Sequence, residues 1–549
     1  MNILENKCTD CRAPAFTGLG AIAVVILAAL TLMQGWALFH GHEEYFSGAG
    51  NLRNDYGHYF YSIAAVQQAE CPYRDFTWPY GPLAVYFFAL VLPVKFHPLE
   101  YYQVQYGLAF ITWLLLVLGT WKKTGAPLTA VMVGLFAWPL LPTSAAFPVY
   151  FYLEILGVSA VFFLSQSAVT ISKRRAIFLG LLLFLLQLIK FFSPVLALGA
   201  LFLTDLPAMI RSRNAERNRG LWVYFFLGSC IIAATVLQCL WLASLSNLHL
   251  AWQSAFPLYV KHGYSQVAGT RVPQITNLPE FLSLQAPILL GFSLGLFVFV
   301  RHILRKPNAA SPVAAIFFTW FLLAHISGYL GMNCHYYYYG ALLFAILPAT
   351  CQELTRTELK WFCLLFAVFH LTYQQGYMQQ GFRFITGKPP APANTLAFHR
   401  VAFHENRWLS LTDEQAEELR WFRATLFQKA SCPTHSPMVI APMGSKWAYY
   451  FGLKQPKPMF WFLEPGSKQF LPEQCEALRQ QLQHSCSLLI LSDLTNDLVG
   501  TNGLVQYWNN YGMNDPATTK ALQQLNHVQI FDLGKVIPMR AELFSRDAH

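Results

Sequence analysis

Four ionisable side chains stand in or at the edges of apolar segments of this chain: Asp55, Asp75, Glu154 and Lys190. Placing such groups in or beside a bilayer is costly, so they mark sites of chemistry or of ion pairing. A carboxylate partly withdrawn from water has the raised basicity that lets it accept a proton from a hydroxyl. A lysine at the same surface stabilises an anion that gains charge during a reaction. Each residue also has a plainer role open to it. Asp55 can cap the helix that follows it, Asp75 can be a turn residue paired with Arg74, Glu154 an acid in a first helical turn, and Lys190 a side chain snorkelling from a helix end.

What must position these residues is a membrane domain. Of 549 residues, 55% are hydrophobic and 12% charged, about half the charged share of a soluble domain. Eleven apolar spans, each near the ~20 residues that cross a hydrocarbon core of about 30 Å, cover 17–39, 99–121, 125–145, 151–171, 174–190, 193–210, 221–244, 284–302, 311–331, 335–351 and 358–377. Lys122 and Lys123, Lys173 to Arg175, Arg211, Arg213, Arg217, Arg219, Arg301, Arg305, Lys306, Arg356 and Lys360 all fall on one side of this arrangement, which the positive-inside rule makes the cytoplasm. The N-terminus, with Lys7 and Arg12, starts inside. No small-residue cleavage site follows Phe39, His40 and Gly41, so the first span is read as a retained helix rather than a cleaved signal.

An odd number of spans places everything after about residue 381 outside. The expected fold is therefore a multi-span α-helical membrane protein of about eleven helices in the plasma (inner) membrane, with a transmembrane domain over 1–380 and a soluble extracytoplasmic α/β domain over 381–549. The net charge of +10 belongs to these span ends. No contiguous basic domain supplies the counterion-release term of nucleic-acid binding, and no nucleic-acid partner is expected.

The stretch "RNDYGHYFYSIAAVQQAECPYRDFTWPYGP", Arg53 to Pro82, lies in an external loop over 41–98. Tyr59, Phe60, Ile63, Ala64 and Val66 form one greasy helical face, with His58, Ser62, Gln67 and Gln68 turned away from it, as in a helix lying in the interface. "PLAVYFFALVLPVKF", 82–96, carries Pro93 and is too short to span; it is read as a second juxtamembrane helix. In the C-terminal region, strands are expected at 437–442, 487–493 and 528–534 and helices at 411–428, 444–452, 472–483 and 516–524, an alternation typical of α/β domains. No P-loop or dinucleotide fingerprint is present. The CxxC of Cys8 and Cys11 is read as incidental; Cys71, Cys334, Cys432, Cys475 and Cys486 lie at or beyond the outer face, where a disulfide is allowed.

In order along the membrane region, Asp55 before its helix, "PYRDFTWPYGPLAVYFF", "FYLEILGVSAVFFL", "LLLFLLQLIKFFSPVLALGALFL" and "CHYYYYGALLFAILPA" resemble the GT-C superfamily of polyprenyl-linked sugar transferases, in particular protein O-mannosyltransferases and lipid A aminoarabinose transferases. The resemblance implies transfer of a monosaccharide from a polyprenyl-phosphate donor to a glycan, lipid or protein acceptor on the extracytoplasmic face, with Asp55 as general base and inversion at the anomeric carbon. Lys190, His335 and Tyr336 would bind the donor phosphate, and Arg271 is a further candidate because its external loop, about 245–283, is long, polar-edged and able to close over a donor; Asp75, Glu154, Arg74 and Tyr80 would support the site. The usual acidic pair of the first loop is here Asn54 and Asp55, and Phe191 replaces a glycine after the lysine. No cofactor is certain from the sequence; a divalent metal stays open but is not indicated, since no His, Cys and carboxylate cluster has the spacing that demands one. The Tyr336–Tyr339 run is equally an aromatic belt.

The rival reading is a transporter or lipid-linked glycan flippase with an external binding domain. It calls for helix breaks at mid-membrane in paired halves, and no internal repeat is visible. A membrane polymerase of glycan repeat units would use the same type of donor through larger external loops.

Overall fold

The computed structural model describes residues 18–41, 56–124 except 77, 79 and 80, 150–164, 171–245 except 191, 399–404, 407–430, 438–440, 472–492, 516–532 and 540–546, with a few single positions elsewhere. The spans expected at 125–145, 284–302, 311–331, 335–351 and 358–377 lie wholly or almost wholly outside these residues. Eight helices precede the C-terminal region among the described residues: α1 (Gly18–Gly41), α2 (Tyr56–Gln67), α3 (Pro82–Val91), α4 (Pro98–Thr124), α5 (Phe151–Leu164), α6 (Lys173–Ile189), α7 (Phe192–Arg211) and α8 (Asn214–Ser244). Of these, Leu99–Gly119 and Asn214–Ser244 are by length and composition apolar enough to cross a membrane.

Local chemistry sets the helix ends. His97 precedes α4: its ring Nδ1 accepts from the Leu99 N–H at 3.1 Å, while Glu100 Oε2 accepts from the His97 N–H at 2.8 Å, a reciprocal cap with Pro98 at the first helical position. Ser172 caps α6, its Oγ accepting from the Arg175 N–H. α8 starts seven residues before the expected span because its first two turns are polar; there Arg217 donates to Asn214 Oδ1, and Arg219 donates to the Ile171 carbonyl beside α6 at 2.9 Å.

α5, α6, α7 and α8 pack as one bundle, α8 lying along α6 with Phe226 and Cys230 against Gly180. The outward faces of α6 and α8 are apolar: Ile177, Phe178, Leu181, Trp222, Phe225, Ile232 and Leu240 are all exposed. Large exposed apolar side chains gathered on one face mark a surface for lipid or protein contact.

α2 and α3 form a compact layer at the end of this bundle. α3 is 10 residues long, about 15 Å, too short to span. The Gln67 side-chain amide donates to the carbonyls of Ala89, Leu92 and Pro93 at 3.0–3.2 Å, capping the α3 C-terminus from α2. α2 ends in a Schellman turn, with Glu70 N–H to Ala65 O at 2.9 Å, Ala69 N–H to Val66 O at 3.0 Å, and Ala69 at φ 64°. One expectation is corrected here. Ser62, placed on the outward face of an interfacial helix, is fully buried together with Tyr59, Phe60, Ile63, Ala64 and Ala65. The helix is covered by α3, by Tyr101 and Tyr102 of α4 and by Tyr449, so two faces rather than one are withdrawn from solvent.

In the C-terminal region, a hairpin of β1 (His399–His404) and β2 (Arg407–Leu411) leads into α9 (Asp413–Ala430), whose start carries a Thr412–Gln415 capping box. β3 (Met438–Ile440), α10 (Pro472–His484), β4 (Ser487–Ser492), α11 (Pro516–Gln523), β5 (Asn526–Asp532) and β6 (Arg540–Ser545) follow. The sheet order is β3-β4-β6-β5, with β3 parallel to β4 and β6 antiparallel to both neighbours. The hairpin and β6 were not expected from the sequence, and the helix expected at 444–452 lies outside the described residues apart from Tyr449. Cys486 is disulfide-bonded to a cysteine outside the described side chains, whereas Cys71, Cys230 and Cys239 are free thiols.

Candidate functional site

Two of the predicted residues meet. Glu154, in the first turn of α5, and Lys190, immediately after α6, come together with Nζ 3.8 Å from Oε2. Both are withdrawn from solvent, with side chains 7% and 12% exposed. Ser193, in the first turn of α7, donates a hydrogen bond from Oγ to Glu154 Oε1. The Lys190 ammonium also lies 4.2 Å from the centre of the Tyr150 ring, a cation–π contact that strengthens when desolvated. Lys190 therefore does not snorkel to water; it is held between an acid and an aromatic face. Its extended backbone, φ −157° and ψ 122°, ends α6 with its own N–H still bonded to Leu186 O.

The Pro-rich turn between α2 and α3 docks on this same helix end. The Gly81 N–H donates to Ile189 O at 2.9 Å, and the buried Trp78 indole closes the turn by donating to Gly81 O at 3.0 Å. Gly81 has φ −61° and ψ 150°, a conformation open to any residue, so the glycine is required by space alone. A Cβ there would stand 2.0 Å from Leu188 O. Pro82 then starts α3, where its missing N–H costs nothing. The turn that follows the Asp55 helix is thus seated one residue from Lys190.

Asp75 belongs to a second cluster in the same loop. Its Oδ2 accepts from the Cys71 N–H at 2.8 Å and from Arg74 at 2.7 and 3.2 Å, and Lys457 Nζ lies 3.7 Å from Oδ1. Burial pushes this carboxyl up, but the Arg74 hydrogen bonds, the Cys71 amide and the Lys457 charge outweigh it and hold the pKa below the ordinary value. The bond to Asp75 and its charge raise that of Arg74 in turn. Asp75 is a turn residue with both oxygens facing cations or amides. Beside it Tyr73, at φ 71°, is buried edge-on against Trp241 of α8, and burial pushes its hydroxyl pKa well up.

Asp55, Tyr80, Arg271, His335 and Tyr336 lie outside the described residues; α2 begins at Tyr56, the position directly after Asp55. Among the described residues no group of three or more His, Cys, Asp or Glu is placed to hold a metal ion. Sequence reasoning passed over Ser193, Tyr150 and Lys457. Ser193 carried a usable signal, a hydroxyl at the start of a helix three positions after a lysine set in an apolar run. No protein-family model matches the chain, and no curated protein matches it.

Proposed function

We propose that this chain is an integral membrane glycosyltransferase that moves a monosaccharide from a polyprenyl-phosphate donor to a glycan, lipid or protein acceptor at the extracytoplasmic face. The observation that carries this reading is the buried Glu154–Lys190–Ser193 cluster, with the first external loop seated on the same helix end. A cation held at that depth beside an apolar bundle suits a phosphate whose tail lies in lipid. The apolar exterior of α6 and α8 supports the membrane setting. The Cys486 disulfide supports an oxidising compartment for the C-terminal domain.

In this reaction the acceptor hydroxyl attacks the anomeric carbon and Asp55 takes its proton. The bond from that carbon to the phosphate oxygen breaks, and polyprenyl phosphate leaves with the electron pair. Lys190 stabilises the charge that develops on the phosphate, with Arg271, His335 and Tyr336 as further partners, while Glu154 and Ser193 fix the lysine. No metal is assigned a step.

The test is direct. Purified full-length protein is incubated with the lipid-linked sugar fraction of its host cell together with the cell-envelope glycans, lipids and proteins that supply the acceptor, and the lipids are followed by mass spectrometry. Loss of one polyprenyl-phosphate monosaccharide with matching release of polyprenyl phosphate is expected. Intact donor, moved across vesicle membranes but never cleaved, would establish the flippase reading instead.

A further inference from the structure

We infer that the C-terminal domain is a fixed part of the reaction face, with Tyr449 and Lys457 acting as positioning residues for the helix that begins beside Asp55; this rests on the transferase reading above. Tyr449 is 1% exposed. Its ring sits 5.8 Å from Phe60 and 5.5 Å from Phe96, centre to centre, and its hydroxyl donates to the Phe96 carbonyl. Phe60 in turn packs edge-on against Phe96 and Tyr101 at 5.9 and 5.2 Å. A residue of the C-terminal region thus completes the aromatic core of the juxtamembrane layer.

The second attachment is ionic. Lys457 Nζ lies 3.2 Å from Glu70 Oε1 and 3.7 Å from Asp75 Oδ1. Glu70 is the residue whose N–H closes the Schellman turn of α2, and Phe60 lies in the first turn and a half of that helix. The attachments fall on the fifth residue of α2 and on the third residue past its end, and so bracket the C-terminal half of the helix. They add to the packing of α2 against α3, Tyr101 and Tyr102, and together these contacts fix its roll and tilt. The position directly before α2 is Asp55, so the direction from which a base approaches the acceptor depends on this bracket. A domain that only gathered acceptors would not need a ring buried in the membrane domain's core.

The test uses the full chain in detergent micelles and two readouts: hydrogen exchange of the 56–67 amides and steady-state sugar transfer. Tyr449→Ala is expected to speed exchange across 56–67 about tenfold or more while the β3–β6 sheet is unchanged. The kcat should fall with donor KM held within about threefold, as for a lost orientation rather than lost binding. Lys457→Glu, at a half-exposed side chain, should act in the same direction with smaller size, and Lys457→Arg should restore both readouts. Should Tyr449→Ala also loosen the sheet, Lys457→Glu decides. Unchanged exchange over 56–67 in Lys457→Glu overturns the inference, as does faster exchange with unaltered kcat. If exchange responds as stated but wild type cleaves no donor, the docking stands and the transferase reading falls.

Discussion

Replacing Gly81 with alanine asks whether the turn between α2 and α3 must sit against the end of the helix that precedes Lys190. The backbone at Gly81 is one alanine adopts freely, and fewer unfolded conformations would by themselves favour alanine by about 0.4–1 kcal/mol. Space opposes it. The new methyl would lie 2.0 Å from Leu188 O, 2.3 Å from Leu188 C and 2.8 Å from Ile189 C, and these are backbone atoms that cannot swing aside. The turn must lift, which removes the 2.9 Å hydrogen bond to Ile189 O, about 1 kcal/mol net, and adds about 1–3 kcal/mol of overpacking. The balance is about 2 kcal/mol, a factor of about 30 in the population of the seated turn. The assay is sugar transfer at equal amounts of folded protein, together with hydrogen exchange of α3, for wild type, Gly81→Ala and Gly81→Ser. Both variants should lose most of their activity while α6 keeps its protection. Activity within twofold of wild type and an unchanged melting temperature would refute the steric reasoning.

Three further outcomes follow from the same contacts. Lys190→Met leaves Glu154 buried without its cation and should lower stability by about 3–5 kcal/mol; the double variant Glu154→Gln with Lys190→Met should recover much of that stability in a denaturation assay yet remain unable to transfer sugar. Asp75 has a folded pKa below its unfolded value, so its contribution is full at neutral pH, above the unfolded value of about 3.9, and is lost as pH falls through the lowered folded value. The melting-temperature gap between wild type and Asp75→Asn should therefore close on acidification and hold steady between pH 6 and pH 8. Cys486→Ser should destabilise the C-terminal domain by about 2–4 kcal/mol, a change reproduced by reductant in wild type and absent when reductant is added to the variant.

The parts of the fold visible in the sequence are those with a period. The spans expected at 17–39, 99–121, 174–190 and 193–210 correspond to helices Gly18–Gly41, Pro98–Thr124, Lys173–Ile189 and Phe192–Arg211, because an apolar run bounded by basic residues needs no tertiary information. Glu154 and Lys190 were legible for the converse reason, as charges where the pattern forbids them. The seating of Tyr449 against the first helices was not. Tyr449 meets Phe96 across 353 positions, and no local pattern announces such a contact. Strand β6 escaped notice because "RAELFS" carries Glu542, which is buried with a side chain 2% exposed and lies 3.6 Å from His527 on the neighbouring strand. Ser62 was placed outward because its polarity was read without the three elements that cover it. The spacing of "PYGP" announced a turn; that its glycine is a matter of space against the Leu188 carbonyl required the coordinates.

The most direct test of the central claim is the lipid profile of cells lacking this chain, complemented with wild type or with Asp55→Asn, which keeps size and capping capacity and removes basicity. With equal expression, one polyprenyl-phosphate monosaccharide should accumulate in the null strain and in the Asp55→Asn strain, and one surface glycan, lipid or protein should lose the same sugar in both. Full complementation by Asp55→Asn, or a null strain whose lipid-linked sugars are unchanged, would contradict the account.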